Sequence, residues 1–239
     1  MEPEPTRRAD PNLRQASARK WLAFVAIGSG ALISTLDVSI VNVSLPTMVE
    51  KLQTDFATIQ WVILSYVLVI TSMMMGVARL GDMYGKKKLY IIGIGVFTFA
   101  SLLCGLSPNV GWLIGFRGFQ GCGAVMMQAL MAALITEIFP AHERGRALGA
   151  MGSIVSVGLA LGPALGGILI GTVGWRSIFL INVPVGLAGA LATWRLVPRS
   201  RNLRREQRFD FTGAAVLFLT LGGYALGITH GQRLGVEDW

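Results

Sequence analysis

The sequence is short of charge. Asp, Glu, Lys and Arg make up 14% of its 239 residues, against 53% hydrophobic residues, and its mean hydropathy is +0.58. A soluble domain carries about 25% charged residues, so the polar cover that a water-facing globule of 25.7 kDa needs is missing. Histidine is scarce as well. His142 and His230 both flank apolar runs, and no nucleophile–base pair or metal-ligand spacing accompanies them. Enzyme, metal and cofactor readings therefore lose their usual chemical groups. The two cysteines, Cys104 and Cys122, fall inside hydrophobic segments. They make neither a disulfide framework nor a metal quartet and read as small buried hydrophobes. Acidic residues number 13 against 21 basic ones, giving a net charge of +8. Such a balance can signal nucleic acid, but the basic residues flank apolar stretches instead of forming a face on a soluble fold, so no nucleic-acid partner is expected.

What the chain has is long apolar runs. A helix crossing a hydrocarbon core of about 30 Å needs roughly 20 mostly apolar residues. Seven runs qualify, at about 21–43, 59–78, 89–106, 110–138, 147–171, 178–197 and 211–229. They are too long for buried strands and lack the alternation of an outer-membrane barrel. The expected fold is all-α, a polytopic membrane protein. The 30 glycines sit inside these runs without a three-residue period, as befits membrane helices. Met1 to Lys20 followed by an apolar run imitates a signal peptide, but the run lacks a small-residue cleavage site and reads as a retained first helix.

Basic residues set the expected orientation. Seventeen of the 21 fall on one side: the tail of residues 1–20, the connections after spans 2 and 4, and Arg195 with the linker 198–210. Lys51, Arg176 and Arg233 fall on the other, and Arg117 lies within a span. This asymmetry places the amino terminus in the cytoplasm. The basic stretch Arg199–Arg208 is read as a plain cytoplasmic linker, with binding of anionic lipid or nucleic acid as the alternative.

Ionisable residues deep in a membrane are functional hypotheses by default. Asp37 lies six residues, about 9 Å, from the expected outer end of span 1, and Arg117 seven residues, about 10 Å, from that of span 4. They share a depth. The pair reads either as a static lock between two helices or as a titrating carboxylate beside a fixed cation. Gly158, Gly162 and Gly166 recur every four residues and form one stripe on span 5, which lets a neighbouring helix approach closely. Pro163 removes a backbone donor there and should bend or loosen the helix. Gly28-x-Gly30 and Gly121-x-Gly123 imitate dinucleotide loops, but neither follows a strand in a βαβ unit.

Leu36-Asp37-Val38-Ser39-Ile40-Val41-Asn42-Val43-Ser44-Leu45-Pro46 is similar to the first-helix signature of the fourteen-helix drug:proton antiporter branch of the major facilitator superfamily. Arg117-Gly118-Phe119-Gln120-Gly121-Cys122-Gly123-Ala124 resembles the fourth-helix motif, with Arg117, Gln120, Gly121 and Gly123 matching. Gly158 to Gly167, including Gly162, Pro163 and Gly166, resembles the fifth-helix antiporter motif, and Gly174 to Gly186 matches another stretch of the branch. The loop after span 2 resembles the superfamily's gating loop through Leu80, Asp82, Gly85, Lys86 and Lys87, although Ala78 and Met83 replace a glycine and an arginine.

The resemblance implies a six-helix transporter half over 21–197, then the first of two extra spans at 211–229 and an external tail at 230–239. It implies Asp37 as a proton-coupling and substrate group tuned by Arg117, with a cationic substrate competing with the proton for the carboxylate. It further implies latching of the cytoplasmic gate by the loop after span 2, and a hinge or proton seal at the span 5 glycines. The expected function is exchange of protons for amphipathic small molecules, cations among them, across the cell membrane. The carboxyl-terminal half of such a transporter is absent from the sequence, so a truncated chain is expected. Export of a metabolite or lipid is the alternative. Other classes are an inactive truncated product and a seven-helix receptor, the latter disfavoured by the basic amino-terminal tail.

Overall fold

The computed structural model describes residues 11–200 and scattered positions between 212 and 227, with side chains from Ala18 onward. Every element among the described residues is a helix: α1 (Pro11–Leu52), α2 (Phe56–Tyr84), α3 (Lys86–Gly105), α4 (Val110–Ile138), α5 (Ala141–Thr172), α6 (Ser177–Leu180) and α7 (Asn182–Leu196). Among the described residues, six spans are long and apolar enough to cross a membrane, the sixth being α6 and α7 taken together over Ser177–Leu196. About half of the expected seventh span at 211–229, and residues 201–210 of the linker before it, lie outside the described residues.

The helices overrun the apolar runs that mark them. Span 1 was expected to end near Val43, but α1 continues to Leu52; α5 starts at Ala141, not 147. Hydropathy detects only the stretch in hydrocarbon, whereas backbone hydrogen bonding carries on through polar ends such as Glu50–Lys51 and Glu143–Arg146. The sixth span departs the other way, with a break at Ile181 between two helical segments.

Local chemistry keeps the connections short. Asp55 caps α2 by accepting a hydrogen bond from the Thr58 amide at 2.7 Å, and Asn109 caps α4 from the Trp112 amide at 3.1 Å, each satisfying an amide that lacks a partner in the first turn. Gly85 alone separates α2 from α3, with φ at +98°. That left-handed backbone is why a glycine stands there.

Helix α4 is central and packs along both α2 and α3, while α1 packs along α5 and α7, and α3 against α7. The buried apolar side chains divide into two clusters. One gathers Phe24, Ile27, Tyr66, Tyr90, Phe97, Leu130 and Phe139; the other gathers Ile40, Met48, Ile59, Leu113, Trp175 and Phe179. On α1 the first cluster ends at Ile33 and the second begins at Ile40; on α4 the boundary falls between Leu113 and Ala124. Asp37 and Arg117 occupy that boundary.

Candidate functional site

Between the clusters lies a thin polar layer built by five helices. Arg117 of α4 donates from Nη1 to Asp37 Oδ2 of α1 at 2.5 Å and to Gln120 Oε1 at 2.6 Å. Its Nε donates to the Val62 carbonyl of α2 at 3.0 Å. Gln120 Nε2 donates to Asp37 Oδ1 at 3.1 Å and to Ser101 Oγ of α3 at 2.7 Å. Asn182, the first residue of α7, donates to the same Asp37 Oδ1 at 2.8 Å. The guanidinium also lies over the Tyr66 ring, 4.3 Å from its centre, where the ring's negative face favours a cation.

The shared depth read for Asp37 and Arg117 is therefore a direct contact. Asp37 is 1% exposed and Arg117 0%. Both carboxylate oxygens accept from N–H groups, the pattern of an ionised carboxylate. Burying two charges costs several kcal/mol each, recovered only where geometry is good and the remaining hydrogen-bonding capacity is filled. Gln120, Asn182 and the Val62 carbonyl do that filling here. The Tyr66 hydroxyl, by contrast, is buried without a hydrogen-bond partner among the described residues.

The fourth-helix glycines explain how α4 comes close to two neighbours at once. A Cβ on Gly121 would lie 2.9 Å from the Tyr66 carbonyl oxygen of α2, and one on Gly123 would lie 2.4 Å from the Phe97 amide nitrogen of α3. Both helices thus approach within backbone contact, which brings Val62 and Ser101 into the layer.

The span 5 stripe faces α1. A Cβ on Gly158 would meet Thr35 Oγ1 at 2.3 Å, on Gly162 Ser39 Oγ at 2.2 Å, and on Gly166 Ile40 Cγ2 at 3.3 Å, whereas Gly167 faces open space. Pro163 sits inside a continuous α5. Its missing N–H leaves the carbonyl four residues earlier, that of Leu159, without its intrahelical donor. Ser39 Oγ donates to that carbonyl at 2.8 Å. The seam beside Asp37 is thus closed by a hydroxyl two residues along the same helix.

The five loop residues act within this bundle. Gly85 makes the turn. Lys86 Nζ bridges Asp82 at 3.0 Å and Glu137 of α4 at 2.7 Å. Lys87 Nζ donates to the Trp194 carbonyl at 2.7 Å and also to that of Val197, filling acceptors at the end of α7. Leu80 is half-buried on α2.

Sequence reading missed Ser101, Asn182 and Tyr66 as parts of the layer, and Glu137 as the partner of Lys86. The available signal was a polar side chain inside an apolar run, which is costly in lipid unless partnered.

The family model of the Major Facilitator Superfamily matches residues 27–231. The chain belongs to the major facilitator superfamily. It is 37% identical over 215 residues to the multidrug resistance protein Stp of Mycobacterium tuberculosis, covering 90% of this chain and 40% of that protein. It is also 37% identical over 195 residues to the riboflavin transporter RibZ of Clostridioides difficile, covering 82% of this chain and 43% of that one. The chain thus spans about two-fifths of the length of these curated relatives. Among solved structures, the inward-open xylose transporter XylE from E. coli is similar with a TM-score of 0.67 at 15% identity, covering 92% of this chain and 57% of that one, which supports the fold. The superfamily consists of transporters of small molecules rather than enzymes, and this member is a multi-pass helical membrane protein.

Proposed function

We propose that this superfamily chain forms one six-helix half of an efflux transporter that exchanges protons for amphipathic small molecules, with its amino terminus in the cytoplasm. The observation that carries the reading is the sealed Asp37–Arg117 pair with its completed shell of Gln120, Asn182 and Val62. Protonation of Asp37 would remove one acceptor and leave the Arg117 charge uncompensated in the bundle. A buried charge of that kind is expensive, so the protonated state favours a different packing of α1 against α4, α5 and α7. Arginine stays charged throughout and serves to couple the carboxylate's state to helix position.

The geometry favours indirect over direct competition. A substrate cannot reach a carboxylate that is 1% exposed and already bonded to three nitrogen donors. Substrate and proton would then be linked through the packing of α1, not through sharing Asp37. A drug-type substrate is favoured by the likeness to Stp; the equal identity to RibZ favours a metabolite of similar size as the second reading.

The test is efflux by the complete transporter in proteoliposomes under an imposed pH gradient. Asp37→Asn, with membrane insertion verified, should abolish proton-driven transport of riboflavin and of amphipathic dyes alike; undiminished transport of all of them would refute the proposal. Orientation is checked by labelling single cysteines placed at Lys88 and at Asp55, expected to react from the cytoplasmic and external sides respectively.

A further inference from the structure

A cavity of about 850 Å³ opens where residues 19–23 of α1, the ends of α4 and α7 and the first turn of α5 come together. Arg19, Lys20, Arg144, Arg195 and Arg199 line it, against one carboxylate, Glu137. Glu137 is engaged by Lys86, Lys20 is paired with Glu143 at 2.5 Å, and Arg144 Nε donates to the Phe139 carbonyl at 3.2 Å. Among the described residues no carboxylate lies within ion-pair range of Arg19, Arg195 or Arg199. Three guanidinium groups therefore border one hollow without a carboxylate partner among the described residues. Such groups suit an oxyanion able to accept several N–H bonds in parallel.

The rest of the wall identifies the source of that anion. Leu22, Leu134 and Leu196 line the same cavity, and Leu22 and Leu196 are themselves large exposed apolar side chains. Trp194, one residue before Arg195, is 61% exposed, the residue type that collects at the headgroup level of a bilayer. The geometry points to a site for the phosphate of an anionic phospholipid headgroup, with its glycerol and upper acyl chain against Leu22 and Leu196. A free phosphate would use the arginines and leave the apolar wall idle. The inference is separate from proton coupling, since no residue of the Asp37 layer takes part.

The experiment uses the 239-residue chain, delipidated in detergent, with phosphatidylglycerol, phosphatidylcholine of the same acyl chains, and inorganic phosphate as probes. Native mass spectrometry reads retained lipid and thermal unfolding reads protection. Phosphatidylglycerol should be retained and raise the unfolding temperature, and the other two should do neither at equal concentration. The variant Arg19→Gln/Arg195→Gln/Arg199→Gln should bind phosphatidylglycerol on the order of a hundredfold more weakly, since each basic residue near an anionic headgroup contributes about fivefold in affinity. The corresponding triple Arg→Lys variant should keep the preference, which separates charge from folding defects. Equal retention of the two lipids, or unchanged binding by the Gln variant at wild-type helix content, would overturn the site. Equal protection by inorganic phosphate would overturn its assignment to lipid.

Discussion

Helix α1 presents two unlike seams to its neighbours. Toward α4 it offers Asp37, held by an arginine, a glutamine and the asparagine that opens α7. Toward α5 it offers Thr35, Ser39 and Ile40 to a row of glycines, with one hydrogen bond from Ser39 across the gap. The first seam is strong only while its charges balance. The second is close and smooth along its glycines, and its one ion pair, Lys20–Glu143, lies 17 residues of α1 away from Asp37, about 25 Å. A change of protonation would therefore be felt at one seam and accommodated at the other, with α1 as the element common to both.

The contrast can be broken from either side. The largest effect is expected at the charged seam. Arg117→Ala leaves Asp37 buried without its cation and should cost about 3–5 kcal/mol, read as a lowered unfolding transition in detergent. The double variant Asp37→Asn/Arg117→Gln should be less damaging than Arg117→Ala alone; an additive result would mean that the pair does not stabilise the bundle. At the smooth seam, Gly162→Leu forces a side chain into Ser39 and should cost about 1–3 kcal/mol by overpacking, while Gly167→Leu, facing open space, should leave the transition where it is. Ser39→Ala should cost about 1 kcal/mol by leaving the Leu159 carbonyl unpaired. That cost should vanish in a Pro163→Ala background, where the residue 163 amide can bond Leu159 itself. Persistence of the loss there would show that Ser39 acts by packing alone. The smallest effect belongs to Lys86→Gln, expected at about 0.5 kcal/mol because its carboxylate partners are partly exposed and screened; it is checked by the salt dependence of the same transition.

The two seams were also unequally legible in the sequence. Composition and run length were enough for six of the helices, since lipid leaves the backbone few other choices. The depth match of Asp37 and Arg117 followed from counting residues, and the glycine stripe from its four-residue period. Asn182 escaped because its role depends on α7 arriving beside α1, and the distance between spans is not written in either one. The interruption at Ile181, whose backbone stays helical at φ −62° and ψ −27°, escaped because hydropathy is blind to a lapse in helical hydrogen bonding inside an apolar run. Ser39 was half legible: Pro163 announces an orphaned carbonyl at Leu159 by simple arithmetic, but which helix supplies the donor depends on the packing.

That single carbonyl has a further consequence. A stripe of glycines against a helix resembles a plain rail, along which many axial offsets would cost nearly the same. Pro163, the one proline inside α5, puts one notch in the rail, and Ser39 is the pin that fits it. Sliding α1 by a single residue, about 1.5 Å, would pull the pin from the notch. The proline thus works less as a bend than as an index, giving the glycine-lined stretch of the interface one preferred position.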